Sequence, residues 1–106
     1  MAIKEIFAEM QKRMDANPGK LGGIKAVFQF EISGADPGNY SVAIGDGSAK
    51  VSEGASVSPN VTITMASNDF ADMVEGRLDS VAAFMGGELK VKGDTMLAMQ
   101  LQSLLK

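Results

Sequence analysis

The sequence contains no cysteine and no histidine. The first absence rules out disulfides and thiolate metal sites. The second removes the side chain most used for general acid–base catalysis and for transition-metal ligation, so a Ser-His-Asp device cannot be assembled. Tryptophan is missing and tyrosine occurs once, at Tyr40. Long hydrophobic runs are missing as well: the longest continuous stretch is Val81-Ala-Ala-Phe-Met85, far short of the ~20 apolar residues a membrane-crossing helix requires. Residues 1–15 mix acids and bases with no apolar segment, so no secretory signal is expected, and the sequons at Asn39 and Asn60 read as chance matches. The final Ser103-Leu-Leu-Lys106 is not a peroxisomal tripeptide of the Ser-Lys-Leu kind. The expectation is an intracellular, cytoplasmic protein.

What is present has the balance of an ordinary globular domain, with 45% hydrophobic and 22% charged residues in a chain of 106. One domain spanning 1–106 is expected, of a size that buries roughly two-thirds of its unfolded surface. Net charge is −3 and the basic residues are scattered, Lys12-Arg13 being the only adjacent pair, so no stripe tracks phosphates and nucleic acid is not an expected partner. The compositional oddity is eight methionines, all but Met1 internal. Methionine is flexible and polarisable; it fills irregular gaps and also lines adaptable binding surfaces.

Hydrophobic periodicity predicts an amphipathic helix over residues 2–15, with Ile3, Ile6, Phe7, Met10 and Met14 on one face, stopped by Asn17-Pro18-Gly19. Strands are predicted at about Ile24 to Ser33, Tyr40 to Ile44, Ser48 to Glu53 and Val61 to Met65, with tight turns around Gly34–Asn39 and Gly45-Asp46-Gly47. Four consecutive strands of this kind suggest an antiparallel meander. Beyond them, Ser67 is the expected N-cap of a helix carrying Phe70, Met73 and Val74, with Gly76 ending it. Asp79 can cap a short helix with Val81, Phe84 and Met85, Gly86-Gly87 closing it. Glu88 to Lys92 reads as a brief strand with Leu89 and Val91 inward, and Asp94 caps a final helix to about Leu105. In that helix Leu97, Leu101, Leu104 and Leu105 form one stripe, which Met96, Ala98 and Met99 widen beyond what packing on a sheet needs. The surplus must be buried against another helix, a partner chain or a ligand.

Tests for chemistry are negative. The glycines form neither a phosphate-binding loop nor a dinucleotide fingerprint, so no cofactor is expected. Asp69, Asp72 and Glu75 share a helix face, yet acids near a helix start favour its positive end and need no catalytic role. Lys90 and Lys92 could meet an anionic membrane surface or a ligand head group, or be the wet face of an edge strand. Arg77 could neutralise a ligand carboxylate or be a surface loop charge.

Residues 84–106, Phe84-Met-Gly-Gly-Glu-Leu-Lys-Val-Lys-Gly-Asp-Thr-Met-Leu-Ala-Met-Gln-Leu-Gln-Ser-Leu-Leu-Lys106, closely resemble the signature of the sterol carrier protein 2 family. In that pattern an aromatic and a glycine precede Leu-Lys-apolar-x-Gly-Asp/Asn, followed by Leu-Ala-x-x-Leu. Upstream, Asn60-Val-Thr-Ile-Thr-Met65, Ser67-Asn-Asp-Phe70 and Gly76 resemble the family's fourth strand and the helix after it, and Val27-Phe-Gln-Phe30 its first strand. The resemblance implies an α/β (α+β) fold: a five-stranded, mainly antiparallel sheet, covered on one face by helices, with an apolar tunnel between them. It also implies non-catalytic binding, and intracellular transfer, of an apolar lipid such as a fatty acid, acyl-CoA or sterol. Carried over by position, Phe70, Met73 and Val74 form one wall, Phe84, Met85 and Leu89 sit near the middle, and Met96, Met99 and Leu101 line the terminal helix. Arg77, Tyr40, Gln100 and Gln102 are candidate head-group anchors. Peroxisomal members continue past the last helix into a targeting tail, which this sequence lacks.

Two other functions are compatible with the residues. The first is an accessory or protein-interaction module that presents its apolar terminal helix to a partner subunit or enzyme, as a monomer or weak homodimer. The second is an enzyme that uses Asp or Glu with Lys.

Overall fold

The computed structural model describes residues 2–56 and 58–105, with side chains as far as residue 100. In chain order the elements are α1 (Ile3–Ala16), a 3-10 turn (Pro18–Leu21), β1 (Ala26–Ser33), β2 (Gly38–Gly45), β3 (Ser48–Glu53), β4 (Val61–Ala66), α2 (Ser67–Val74), α3 (Ser80–Gly86), β5 (Lys90–Gly93) and α4 (Thr95–Leu105).

Period-two alternation in the strands produces a two-sided sheet. Ala26, Phe28, Phe30 and Ile32 of β1, Tyr40, Val42 and Ile44 of β2, and Val61, Ile63 and Met65 of β4 are all buried. They meet the apolar stripe of α1 (Ile3, Ile6, Phe7, Met10 and Met14) and Phe70, Met73 and Val74 of α2 in one core. The opposite face carries Gln29, Glu31, Ser41, Thr62 and Thr64, paired across the strands in register.

The five strands lie in the order β3-β2-β1-β4-β5. The expected four-strand meander is corrected here. β1 to β3 form one, turning β2 into β3 through Asp46 and Gly47, both at positive φ. β4 instead crosses to the far side of β1 and pairs with it in parallel, Phe28 opposite Val61. Asn60 fixes that placement: the Val27 N–H donates to its Oδ1 at 2.8 Å, and its own N–H donates to the Val27 carbonyl at 2.9 Å. β5 closes the other edge antiparallel to β4. Gly93 is required there, because at φ +103° a Cβ would lie 2.6 Å from the Asn60 carbonyl oxygen.

The crossing connector runs over the polar face, and Gln29 is the peg beneath it. Its side chain is only 4% exposed. Oε1 accepts from the Ser56 N–H at 2.5 Å, while Nε2 donates to the Tyr40 carbonyl at 3.1 Å and the Gly54 carbonyl at 3.5 Å. A second glutamine protects the sheet edge. The Gln11 amide accepts from the Val51 N–H at 2.7 Å and donates to the Ala49 carbonyl at 2.8 Å, occupying ladder groups of β3 that would otherwise face outward.

Helix ends follow the sequence at two of three expected caps. Asp79 accepts from the Ala82 N–H at 3.0 Å, and Asp94 accepts from the N–H groups of Met96 and Leu97. Ser67 is not a cap. β4 runs into α2 without a loop, which shifts the N-cap to Ala66 and leaves the buried Ser67 Oγ to accept from the Asp36 N–H at 3.3 Å. Asp36 in turn accepts from the Ile3 N–H at 2.7 Å, tying the start of α1 to the same turn.

Gln29→Ala should lower stability by about 1–3 kcal/mol, because it strands the buried Ser56 N–H and the Tyr40 and Gly54 carbonyls. Chemical denaturation checks this, and a change below about 0.5 kcal/mol, the size of a neutral surface substitution, contradicts the peg role.

Candidate ligand-binding surface

Phe70 of α2 is fully buried, and Met73 and Val74 are nearly so. Phe70 stacks on Phe7 at a centroid distance of 4.9 Å and meets Phe30 at 5.5 Å. Phe7 also stacks on Tyr40 at 4.1 Å and meets Phe30 edge-on at 5.4 Å. This half of the helical layer is therefore locked by four interleaved rings, an arrangement worth about 0.5–1.5 kcal/mol per pair beyond area burial. Phe70 is a core residue before it is anything else.

The other half is built differently. α3 buries Ser80 and Ala83 and turns its bulky residues outward: Val81 is 45% exposed, Phe84 40% and Met85 82%. α4 likewise buries Ala98, keeps Leu97 and Met99 half-buried, and exposes Met96 at 77%. Leu89, buried between the two helices in sequence, ties back through its N–H to the Ala83 carbonyl at 3.1 Å. α3 and α4 contact each other. An amphipathic helix normally points its large apolar residues at the core; among the described residues α3 sets Ser80 and Ala83 inward and Val81, Phe84 and Met85 outward, and α4 exposes Met96 while Leu97 and Met99 pack at the core margin.

Of the sequence-predicted lining residues, Phe70, Met73, Val74 and Leu89 thus lie in the core, and Met99 lies at its margin. Phe84, Met85 and Met96 lie on the outer apolar faces of α3 and α4, and the Leu101 side chain is outside the described residues. Among the candidate anchors Arg77 is already engaged. Its guanidinium binds Asp72 at 2.8 Å and contacts the Glu75 carboxylate, and these hydrogen bonds, Asp72 first, raise its pKa further above the ordinary value. The same contacts occupy two of the three acids considered for catalysis. Gln100 is exposed, and Gln102 is outside the described side chains. Among the described residues no group of three or more acids could hold a metal ion, and no helix is long and apolar enough to cross a membrane.

Several clefts lie among the described residues. One of about 180 Å³ takes Val74 together with Ile6, Glu9, Arg13 and Glu75. One of about 280 Å³, between α1 and the β3 edge, takes Tyr40 with Lys4, Phe7, Gln11, Val51 and Glu53. A polar one of about 360 Å³ lies at the start of α2 beside Asp36 and Asp72. Another, of about 550 Å³, opens on the polar sheet face between Lys25 and Lys50. Sequence reasoning missed Gln11, Gln29 and the Lys25–Lys50 cleft. The alternation that puts Gln29, Ala43 and Lys50 on one face was readable; the strand order that brings them together was not.

Comparison with known proteins gives a consistent result. The sequence model described as the SCP-2 sterol transfer family matches residues 7–106. Hydroxysteroid dehydrogenase-like protein 2 of Mus musculus is 40% identical over 82 residues, which cover 76% of this chain and 17% of that protein. Sterol carrier protein 2 of Homo sapiens is 31% identical over 104 residues, covering 98% of this chain and 19% of that protein. The chain therefore spans under a fifth of these curated relatives. The solution structure of palmitated SCP2L2 from Aedes aegypti superposes with a TM-score of 0.83 at 26% identity, covering 99% of this chain and 95% of that one.

Tyr40 is the only tyrosine, so tyrosinate absorbance reports on it alone. Burial first, then the charges of Glu53 and Asp36, raise its pKa above the ordinary 10.0. A phenol held neutral in this way supports the fold fully below the unfolded value, and that support is lost as pH rises through the folded value. An absorbance titration of the folded protein should show a midpoint above 10.0 that returns to the ordinary value in denaturant. Equal midpoints in the two conditions contradict the packing described.

Proposed function

The chain belongs to the SCP-2 sterol transfer family, and from that premise we propose that it is a non-catalytic carrier for an apolar lipid of the fatty acid, acyl-CoA or sterol-like class, held between the sheet and helices α3 and α4. The observation that carries this reading is the inverted seating of those two helices. Among the described residues they bury Ser80, Ala83 and Ala98, with Leu97 and Met99 half-buried, and leave Val81, Phe84, Met85 and Met96 exposed. A shallow seat of small side chains separates from the sheet at low cost, and an acyl chain entering there removes apolar surface from water on both sides. The structural neighbour described as palmitated supports a lipid of this kind.

The energetics are those of passive sequestration. Each methylene taken from water contributes about 0.8 kcal/mol, about 12 kcal/mol for a sixteen-carbon chain; with association and ordering costs at the low end of roughly 4–15 kcal/mol, about 8 kcal/mol is left, a micromolar affinity. Methionine walls adapt to many shapes, so selectivity for chain length should be loose. Transfer then follows from release without chemistry. No side chain in this account accepts or donates a proton to substrate; the sequence offers no histidine or cysteine, and Asp72 and Glu75 are held by Arg77.

The exposure of Met85 and Met96 favours a second reading, in which α3 and α4 dock against a partner subunit or another region of a longer chain, as an accessory module does. The two readings separate cleanly. Under the carrier reading, palmitate added to delipidated protein should give one-to-one adducts in native mass spectrometry and a ligand-dependent rise in Tm. Changing Met85→Lys together with Met96→Lys should leave palmitate binding and the unliganded Tm nearly unchanged under the carrier reading, because both side chains point away from the sheet, and should disrupt docking under the module reading. Absence of adducts, combined with concentration-dependent sedimentation, rejects the carrier reading in favour of the module.

A further inference from the structure

We propose that Met85 and Met96 form a reversible, oxidant-sensitive modification site, at which peroxides turn the apolar outer face of α3 and α4 polar while the core methionines stay reduced. With no cysteine in the chain, methionine supplies its only oxidisable sulfur. The internal methionines divide sharply by position. Met10 and Met14 of α1, Met65 of β4 and Met73 of α2 are each exposed by 5% or less and belong to the core. Met99 is half-buried at the core margin. Met85 and Met96 instead present 82% and 77% of their surface to solvent. Both belong to the helices that take no part in the stacked rings of Phe7, Phe30, Tyr40 and Phe70.

The chemistry needs only a peroxide as oxidant. The thioether sulfur attacks one peroxide oxygen, the O–O bond breaks, an S–O bond forms, and the second oxygen leaves as water, or as an alcohol from an organic hydroperoxide. Sulfur is oxidised and the peroxide reduced. Attack requires the sulfur lone pair to be reached from solvent. At the core methionines the reaction must wait for the structure to open; at Met85 and Met96 no opening precedes it. The product sulfoxide is polar and chiral. Val81 and Met85 stand at i and i+4 on α3, so a sulfoxide at Met85 lies one turn from Val81. Oxidation of both methionines removes the two most exposed of the large apolar side chains on this face. The fold is spared, because the bonds that fix the two helix ends do not involve sulfur. The Met96 N–H donates to Asp94 Oδ1 at 3.0 Å, and the Gly87 N–H closes α3 on the Phe84 carbonyl at 3.3 Å. Methionine sulfoxide reductases, one for each epimer, return the thioether, so the change is a switch in the apolar character of the face rather than damage to the core.

The test uses the whole delipidated protein, so it stands independently of lipid uptake. Brief treatment of the folded protein with hydrogen peroxide, followed by peptide mass mapping, should place sulfoxide at Met85 and Met96 about tenfold or more faster than at Met10, Met14, Met65 and Met73. In denaturant these rates should converge to within about twofold. Protein oxidised at Met85 and Met96 should keep its Tm within about 4 °C, the span of a near-neutral surface change, and should elute earlier from a hydrophobic-interaction column. Treatment with both epimer-specific reductases should restore the original elution. Changing Met85→Leu together with Met96→Leu should preserve the Tm and abolish the peroxide-dependent shift in elution. The proposal is overturned by even oxidation of exposed and core methionines in the folded protein, or by unchanged elution once both sites are oxidised. Loss of the folded Tm at that stage, failure of the reductases to restore elution, or an equal shift in the leucine variant overturns it as well.

Discussion

Phe7 lies between the rings of Tyr40 and Phe70, at 4.1 Å and 4.9 Å, with Phe30 meeting both Phe7 and Phe70. These contacts join α1, α2 and the two central strands of the helix-facing side into one aromatic block. Everything else in the helical layer is arranged around that block, and what distinguishes α3 and α4 is that they do not take part in it. Among the described residues they bury Ala83 and Ala98, and α4 contacts β4 and β5. Rigid and shallowly seated halves of the same layer are what a carrier needs. The ringed half preserves the fold while the other half gives way, and local opening is drawn from the segments with the fewest buried apolar contacts.

The sheet divides the molecule into two kinds of surface. On the helical side, α1 and the end of α2 carry exposed charges, while the outer faces of α3 and α4 expose the apolar side chains of Val81, Phe84, Met85 and Met96. On the other side, lysines flank a connector that Gln29 pins to the strands. Gln29 holds the middle of the connector at Ser56, while Gly54 and Asn60 bond its ends to Asn39 and Val27.

Most of the fold was legible in the residues. Helical periodicity placed α1, with all five of its predicted apolar residues buried, and alternation placed the strands to within a few residues. Asp79 and Asp94 announced the starts of α3 and α4. What was not legible has a common cause. Sequence spacing reports which face a residue takes, and says nothing about which strand lies alongside. Hence β4 reads as the next turn of a meander when its parallel pairing with β1 depends on Asn60 reaching Val27. The site was legible as a set of elements rather than of side chains. Phe84 and Met85 came from the family resemblance, whereas the apolar surplus on α4 was visible in the spacing of Met96, Ala98 and Met99 beside the leucine stripe. Its outward direction was not, because Ala83 and Ala98 look like passive spacers until they are seen to occupy the inward positions.

Amide hydrogen exchange, with and without saturating palmitate, tests the central claim most directly. Lipid held between the sheet and the shallow half of the helical layer should slow exchange in residues 80–100 and along β4 and β5, and leave α1, already locked by its rings, unchanged. Protection confined to the cleft between α1 and the β3 edge, or none at all under saturating ligand, would contradict it.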